Sequence, residues 1–580
     1  MKLSFSSIRK HLFPLILSVL LIIVALTNYN NQISFEEFTH SIFLDEVTSN
    51  TINLHYSLKD PSAYGIRNYD ISLGSFSKEA RTQQKEALRT TLEKLSSYSY
   101  LTLSTEEKLT YEVLEDYLNT QLMFCNYELY QEPLSASGGL HVELPLLFAE
   151  YQFHSEQDVK DYLSLIALTD EYFTELIAFE KEKAASGLFM SDTQCKSVLE
   201  SSYSFLKNRE NHYLITTFAS RLDELSLNDK KKVSYIEENA RILESNVFPA
   251  YEMLITELSH LLGSGENELG LCHFDNGREY YELLVYAETG SADSVDDIFL
   301  RIDQKRMDDL LICAKLQENE PDIIEQCASF EWNMTDPQTM VTCLQEELLA
   351  DFPSPPDTSY QINYVDSALE EYLAPAFYIV APLDSYLENT IYINNAYVSN
   401  DLYGFTTLAH ESYPGHLYQT VMSYEYELPP IRSILNYSGY TEGWATYIEM
   451  MSYDYANLDE DVASMLAHNQ AATLSLYASS DIGLHYYGWN KEDMYAFWKT
   501  YGIHNKDSID KITQLILSEP GNYLKYYVGY LEFLDLQDTI RTSQGDKFSL
   551  SEFHRTILDI GPAPFSLLEK YFWVYYSPQT

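Results

Sequence analysis

A proline and a glycine stand side by side in the otherwise helix-compatible stretch LAHESYPGHLYQ, residues 408–419. Pro414 has no amide hydrogen, and its ring would clash in a continuous helix with the carbonyl four residues earlier. Gly415 tolerates backbone angles that other residues avoid. The sequence therefore predicts that a helix ends or bulges between Glu411 and His416.

This break decides whether two histidines can meet one ion. His410 and His416 are six residues apart, and a continuous helix would point them roughly 120° away from each other. In the zinc-peptidase motif His-Glu-x-x-His the two histidines are four apart and share one helix face. Extruding two residues at the break would return His416 to that face, so we predict a zinc site with both histidines as ligands. Glu411 would then stand beside the ion as the general base without binding it.

A third protein ligand is expected on a later helix, in the stretch YTEGWATYIEMM, residues 440–451. Glu442 is the predicted ligand, and Gly443 beside it would let this helix approach the histidine helix closely. Glu449 lies seven residues further on the same face, where it can accept a hydrogen bond from a ligating imidazole and orient it. Glu449 is also the alternative ligand.

The chain before residue 350 has the periodicity of helices. In KEALRTTLEKLSS, Leu88, Leu92 and Leu95 fall on one helix face. Ser294, with Asp297 three residues on, predicts a helix amino terminus. We therefore expect a mainly α fold, with a helical N-terminal region over residues 33–350.

A proline-rich stretch, DFPSPPDTSY at residues 351–360, marks the predicted start of a catalytic region over residues 351–580. The segments YQINYV, AFYIVA and TIYINNAYV follow it, and their β-branched and aromatic residues predict a small β-sheet. This sheet would immediately precede the histidines. An extended peptide can bind an edge strand through main-chain hydrogen bonds, so the order of elements suits a peptidase.

Residues 1–32 have the pattern of an export signal. Basic residues precede an apolar run from Leu12 to Leu26, slightly short of the roughly 17–25 residues of a spanning helix. Neither an Ala-x-Ala cleavage pattern nor a lipid-accepting cysteine follows this run. An uncleaved membrane anchor is therefore favoured over a cleaved signal peptide, and the basic flank predicts that the rest of the chain lies outside the cytoplasmic membrane.

Charge and cysteine content narrow the classes of function. A formal net charge of −50 argues against a nucleic-acid partner, because phosphate binding needs a basic face. The six cysteines form no Cys-x-x-Cys pair and are too dispersed for a disulfide scaffold. We expect buried free thiols, with one bridge among Cys313, Cys327 and Cys343 as the alternative.

At the histidine and glutamate motifs the sequence resembles the bacterial family called domain of unknown function 885, whose pattern is His-Glu-x-x-Pro-Gly-His followed by Glu-Gly-Trp. Here these motifs read HESYPGH and EGWATYIE. The likeness extends to SSDIGLHYYGWNKEDM, PGNYLKYYVGYLEF and FSLSEFHRTILDIGPAPFSLLEKYF. It implies a zincin-like metallopeptidase fold that binds one Zn²⁺ ion. It also implies a deep cleft walled partly by the N-terminal helical region, as in the helical zinc carboxypeptidases.

The resemblance also implies roles for single residues. His410, His416 and Glu442 match the metal ligands, and Glu411 matches the general base. His485 in DIGLHYYGW and Tyr526 in YLKYYVGY match positions suited to stabilising a tetrahedral oxyanion. Asp481, four residues before His485, would orient that histidine, and Tyr523 and Tyr527 are the alternatives to Tyr526.

Together these features predict a zinc metallopeptidase that is membrane-anchored or secreted, with carboxypeptidase or oligopeptidase activity as its expected form. Recognition of a substrate carboxylate would need a cation, for which Arg432, Arg541 and Lys525 are the candidates. Endopeptidase activity on extracellular peptides or on cell-wall crosslinks is a variant of the same hypothesis. A non-catalytic surface binding protein and a zinc hydrolase of a non-peptide amide or ester are the alternatives from other classes.

Overall fold

The computed structural model describes residues 34–135, 138–365, 370, 373–398 and 401–576. The predicted anchor at residues 1–32 lies outside this described part. Among the residues described, none of the helices is both long enough and apolar enough to cross a bilayer.

Helices occupy most of the chain up to residue 347. They are α1 (34–47), α2 (Thr51–Ser57), α3 (Lys78–Ser96), α4 (Thr105–Phe124), α5 (Leu140–Glu150), α6 (Glu156–Ile166), α7 (Thr169–Ala185), α8 (Asp192–Phe205), α9 (Tyr213–Asp223), α10 (Asp229–Ile242), α11 (Phe248–Leu261), α12 (Gly277–Thr289), α13 (Val295–Asn319), α14 (Ile323–Ser329) and α15 (Pro337–Glu347). The predicted start of α13 is confirmed, because the Ser294 side chain accepts a hydrogen bond from the N–H of Asp297. Leu95 of α3 is fully buried, and Leu88 and Leu92 pack beside it against the core.

A three-stranded sheet follows the proline-rich stretch, as the sequence predicts. Its strands are β1 (Ser359–Tyr364), β2 (Ala376–Ile379) and β3 (Glu388–Ile393), in the order β1-β3-β2. Strand β3 runs parallel to β1 and antiparallel to β2. Strand β2 is therefore an edge strand, one side of which is available to the elements that come next in the chain.

The remainder of the described chain returns to helices. They are α16 (Leu402–Glu411), α17 (His416–Glu425), α18 (Pro430–Ile434), α19 (Ser438–Ser452), α20 (Glu460–His485), α21 (Lys491–Thr500), α22 (Lys506–Ser518), α23 (Asn522–Gln544), α24 (Leu550–Ile560) and α25 (Phe565–Tyr575). The fold class is thus mainly α with a small β-sheet, as predicted.

The largest hydrophobic core contains residues from both sides of the proline-rich stretch, from Phe35 in α1 to Phe572 in α25. A second core lies mostly within α5 to α11. The proline-rich stretch therefore marks a change from helix to sheet within a shared core. All six cysteines are free thiols in the structure.

Helices α19 and α23 touch through glycines. A Cβ atom added to Gly443 would lie 2.5 Å from the backbone of Gly529, and one added to Gly529 would lie 2.3 Å from the carbonyl oxygen of Gly439. Side chains at Gly443 or Gly529 would force the helices apart. The sequence led us to expect Gly443 to approach the histidine helix, whereas the close approach is to α23.

Candidate metal centre

The helix break between the two histidines is confirmed. Helix α16 ends at Glu411 and α17 begins at His416. A Cβ atom on Gly415 would lie 1.9 Å from the carbonyl oxygen of His410, so this sharp reversal has no room for a side chain. The indole N–H of Trp444 donates to the carbonyl of Pro414 at 2.9 Å and ties α19 to the reversal.

The reversal brings the imidazoles together, with their ring centroids 4.8 Å apart and their planes at 85°. One oxygen of Glu442, Oε2, lies 3.5 Å from Nε2 of His410 and 3.3 Å from Nε2 of His416. All three side chains are largely buried. A single carboxylate oxygen thus faces one nitrogen of each imidazole.

These separations can be compared with those expected around zinc. Ligand bonds of roughly 2.0–2.2 Å in a tetrahedron put neighbouring donor atoms roughly 3.3–3.6 Å apart, whereas hydrogen-bonded atoms lie closer, at roughly 2.7–3.2 Å. The observed values of 3.3 and 3.5 Å match the spacing of ligands that surround an ion. Two imidazoles and a carboxylate are also the kind of donor set that Zn²⁺ prefers.

Glu411 is a second carboxylate beside the same histidines. His410, Glu411 and His416 each offer a donor atom, and these atoms all lie within 4.8 Å of one another. Oε2 of Glu411, however, accepts a hydrogen bond from the main-chain N–H of Tyr378 in β2, at 2.9 Å. Glu411 is therefore tethered to the edge strand, while Glu442 faces both imidazoles.

Glu449 lies on the other side of the His410 ring. Its Oε2 is 3.5 Å from Nδ1 of His410, and its Oε1 accepts a hydrogen bond from Gln470 at 3.3 Å. Burial lowers the pKa of His410, but the facing carboxylates of Glu442 and Glu449 outweigh that effect and raise this pKa well above its usual value. The carboxylates therefore strongly stabilise a positive charge beside them.

Tyr526 of α23 also faces this cluster. Its ring centroid lies 6.3 Å from that of His410. Burial raises the pKa of its hydroxyl well above 10, and the charges of Glu442 and Glu411 add to the effect. The hydroxyl therefore stays protonated and can serve as a hydrogen-bond donor.

The two alternative tyrosines are placed differently. Tyr523 packs its ring against Tyr477, with centroids 4.8 Å apart. Tyr527 is fully buried, and the charge that raises its pKa most, after burial itself, is that of Asp309. Of the three tyrosines, Tyr526 is the one that contacts a histidine of the cluster.

The structure gives His485 surroundings that differ from the expectation. Its Nδ1 accepts a hydrogen bond from the N–H of Leu271 at 3.2 Å, so its Nε2 carries the proton and donates to the carbonyl of Ile516 at 3.0 Å. Burial lowers the pKa of this ring to about 4. Both nitrogens are occupied by main-chain groups, which leaves His485 no N–H to offer an oxyanion.

Asp481 does not orient His485 either, because its carboxylate binds other groups. It accepts hydrogen bonds from the hydroxyl of Tyr281 at 2.6 Å and from the N–H of Gly521 at 3.0 Å. Gly521 immediately precedes α23. Asp481 is therefore connected to the helix that carries Tyr526.

A cavity of about 430 Å³ lies between the N-terminal helices and the start of α23. Lys525 lines this cavity, and its ammonium group lies 5.2 Å from the centroid of the Tyr526 ring. Arg432 is buried elsewhere and donates to the carbonyls of residues 560 and 562, and Arg541 lies over the ring of Phe548. Of the three candidate cations, Lys525 is the one that borders this cavity.

Two features of the site carry no recognisable signal in the sequence. The tether on Glu411 is the main-chain N–H of Tyr378, a group that every residue except proline possesses. Gln470, which binds Glu449, is one glutamine within a long helix. By contrast, the tryptophan of Glu-Gly-Trp stands in a recognisable motif, and the structure explains it by its bond to Pro414.

Comparisons with known proteins agree on the family and the fold. Residues 61–571 match the model of a family described as bacterial protein of unknown function, DUF885. Among curated proteins, none matches this chain at a significant level.

Two solved structures are similar over nearly the whole chain. A predicted lipoprotein from Colwellia psychrerythraea is 18% identical, covers 94% of this chain and 98% of its own, and has a TM-score of 0.82. A predicted lipoprotein of unknown function from Shewanella oneidensis is 15% identical, covers 93% of this chain and 99% of its own, and has a TM-score of 0.65. At these identities the likeness establishes a shared fold.

Proposed function

The chain belongs to the bacterial family DUF885, and from that premise and the geometry of the histidine cluster we propose that it is a zinc-dependent peptidase. The observation that carries the proposal is the position of one Glu442 oxygen, 3.5 and 3.3 Å from the facing nitrogens of His410 and His416. These are the separations expected of three ligands around one zinc ion.

His410, His416 and Glu442 would hold the ion, and Glu449 would orient the ring of His410 through its Nδ1. When bound, the ion would supply a Lewis acid for the scissile carbonyl and lower the pKa of water in the site. Three protein ligands leave room for water and substrate, as in catalytic rather than structural zinc sites.

Glu411 would act as the general base. It borders both histidines but is tethered by the N–H of Tyr378, so one of its oxygens is held while the other can take a proton from the attacking water. Glu411 would then deliver this proton to the amine of the departing peptide. Tyr526 would donate its hydroxyl hydrogen to the developing oxyanion.

The edge strand beside the site suits an extended peptide substrate. The N–H of Tyr378 points away from β3 towards Glu411. Since alternate residues of a strand point their main-chain groups in the same direction, Ala376 presents its N–H and carbonyl to that side as well. Because Glu411 occupies the N–H of Tyr378, a peptide would pair with the remaining main-chain groups of this edge and bring its scissile bond to Glu411.

A more specific form of the proposal is that the enzyme cleaves its peptide substrate near one end. The cavity at the start of α23 is lined by Lys525, which could bind a free carboxylate. Four glutamates also line it and favour a free ammonium group: Glu132, Glu143, Glu288 and Glu519. Peptides with free, amidated or acetylated ends would distinguish carboxypeptidase, aminopeptidase and internal cleavage.

We propose an extracytoplasmic location. The two similar structures are of predicted lipoproteins, and lipoproteins are held at membranes through a modified cysteine. The first cysteine of this chain is Cys125, far beyond the apolar run at residues 12–26, so here the run itself would anchor the protein.

The test is zinc content and peptide turnover of the purified protein. We expect about one zinc per chain and hydrolysis of unstructured peptides by the wild type. Glu411→Gln should keep the zinc and lose about a thousandfold or more in kcat, because the ligands remain and the base is gone. Glu425→Gln, at an exposed position of α17, is the matched control and should behave like the wild type.

Retention of both zinc and full activity by Glu411→Gln would contradict the assigned mechanism. Zinc binding without turnover of any peptide would favour the alternatives, a surface binding protein or a hydrolase of another amide or ester. A panel of non-peptide esters and amides separates those two, because only the hydrolase turns over a member of the panel.

A further inference from the structure

Asp481 of α20 is a fully buried carboxylate with an unusual set of partners. Both of its oxygens lie 3.0 Å from the main-chain nitrogen of Gly521, and Oδ1 also accepts the hydroxyl hydrogen of Tyr281 at 2.6 Å. Tyr281 itself is fully buried in α12. One carboxylate thus joins three helices, α12, α20 and the start of α23.

Helix α23 needs an acceptor at its start that its own sequence does not supply. The first N–H groups of a helix have no partner within the helix, and a side chain at the residue before it normally accepts from them. That residue here is Gly521, which has no side chain and a φ of +80°. Asp481, on a neighbouring helix, supplies an acceptor instead, for the N–H of Gly521 and for that of Tyr523 in the first turn.

The position of this start governs where Tyr526 points. Tyr526 is the fifth residue of α23, little more than one turn from Gly521, and each residue of a helix rotates the side-chain direction by about 100°. Further along, α23 is fixed against α19 through Gly529 and Gly443. The segment with Tyr526 is therefore held from both ends, by Asp481 before it and by the glycine contact after it.

We propose that Asp481 is a positioning residue, which fixes the start of α23 so that the Tyr526 hydroxyl faces the cluster of His410, His416 and Glu442. This inference rests on the proposed peptidase function and deepens it. It replaces the sequence-based role of Asp481 as the partner of His485. Since Tyr281 belongs to the N-terminal helical region, the contact also links that region to the catalytic residues.

The test is a double-mutant cycle between Asp481 and Tyr526. Asp481→Asn keeps the size of the side chain and one acceptor oxygen, and we expect kcat to fall about tenfold with KM and zinc content unchanged. Tyr526→Phe should lower kcat about a hundredfold, as loss of an oxyanion donor does. If Asp481 acts through Tyr526, the double variant should be no slower than Tyr526→Phe alone.

Two further variants test whether a fall in kcat arises merely from loss of folding. Tyr281→Phe removes one hydrogen bond to Asp481 and keeps its carboxyl group, and should show the same non-additivity with a smaller effect, about threefold. Asp538→Asn, at an exposed position of α23, is the control and should leave kcat unchanged. A double variant that is another tenfold slower than Tyr526→Phe would overturn the proposal.

Hydrogen exchange at the amides of residues 521–525 gives a readout that does not depend on turnover. These amides should exchange at least tenfold faster in Asp481→Asn, because the acceptor of the first turn is weakened. Unchanged protection would overturn the positioning role even in an active enzyme. Faster exchange in a protein that hydrolyses no substrate would instead reject the peptidase function and, with it, the catalytic part of this proposal.

Discussion

The indole N–H of Trp444 donates to the carbonyl of Pro414 at 2.9 Å. This bond connects the two motifs that define the family resemblance, because Trp444 follows the ligand candidate Glu442 by two residues and Pro414 precedes His416 by two. The carbonyl lies in a reversal that has no helical partner for it. One side chain of α19 therefore stabilises the break that brings the histidines together.

The first prediction concerns this bond. Trp444→Phe should leave the buried carbonyl of Pro414 without a donor and lower the free energy of unfolding by about 2 kcal/mol or more. It should also weaken zinc binding, because the reversal sets the position of His416. Urea denaturation and zinc competition measure the two effects. Trp573→Phe, at a position 48% exposed, is the control, and equal stability of the two variants would contradict the role of the bond.

The second prediction concerns the contact of α19 with α23. Gly443→Ala would place a methyl group 2.5 Å from the backbone of Gly529, so the helices must separate, at a cost of about 3 kcal/mol or more. Gly545→Ala is the comparison: that glycine has a positive φ but open space around it, so only backbone strain opposes the methyl group, at a cost of about 1–2 kcal/mol. A mild effect at Gly443, measured by thermal or chemical unfolding, would show that the helices adapt.

The third prediction concerns the second carboxylate at His410. Glu449→Gln should weaken zinc binding about 10- to 100-fold, because it removes the charge that orients the ligating imidazole through Nδ1. Zinc affinity is measured by competition with a chelator of known strength. Glu460→Gln, at an exposed position of α20, should leave the affinity unchanged. Complete loss of zinc in Glu449→Gln would instead make Glu449 a ligand.

The fourth prediction tests whether the role of His485 is structural or catalytic. Its pKa is lowered from 6.5 to about 4 by burial, so the unfolded chain binds a proton in this pH range that the folded protein excludes. The stability linked to His485 is therefore fully present above pH 6.5 and is lost as the pH falls towards 4, by about 3 kcal/mol. Unfolding measured from pH 8 to pH 4 should show a smaller loss in His485→Gln than in the wild type.

His485→Gln also tests whether His485 takes part in catalysis. Since both nitrogens of His485 serve main-chain groups, folded His485→Gln should keep kcat within about threefold of the wild type at pH 8. A hundredfold loss of kcat in the folded variant would restore the oxyanion role that the sequence alone indicated.

Several features were predictable because local chemistry determines them. Pro414 and Gly415 end a helix wherever they occur in such a context, and α16 ends at Glu411 as expected. Ser294 caps α13 through its own side chain, and the β-branched and aromatic segments form the three strands. The mainly helical class followed from periodicity along the chain.

The partners of long-range side chains were not predictable in the same way. A spacing of four residues suggested that Asp481 would face His485, but in the structure each binds the main chain of a different segment. Gly443 was expected to meet the histidine helix and instead meets Gly529. Helical spacing gives the face of a residue, whereas the packing of neighbouring helices decides what that face meets.

The sequence by itself thus determined that the chain is mainly helical, that a small sheet precedes the histidines, and that the helix breaks between His410 and His416. Only the tertiary structure decided that Glu442 faces both imidazoles, that Tyr378 tethers Glu411, and that Asp481 serves α23. The physical reason is that caps and breaks depend on neighbouring residues in the chain. Contacts between helices depend on how whole helix faces pack, and the identity of a single residue does not specify that packing.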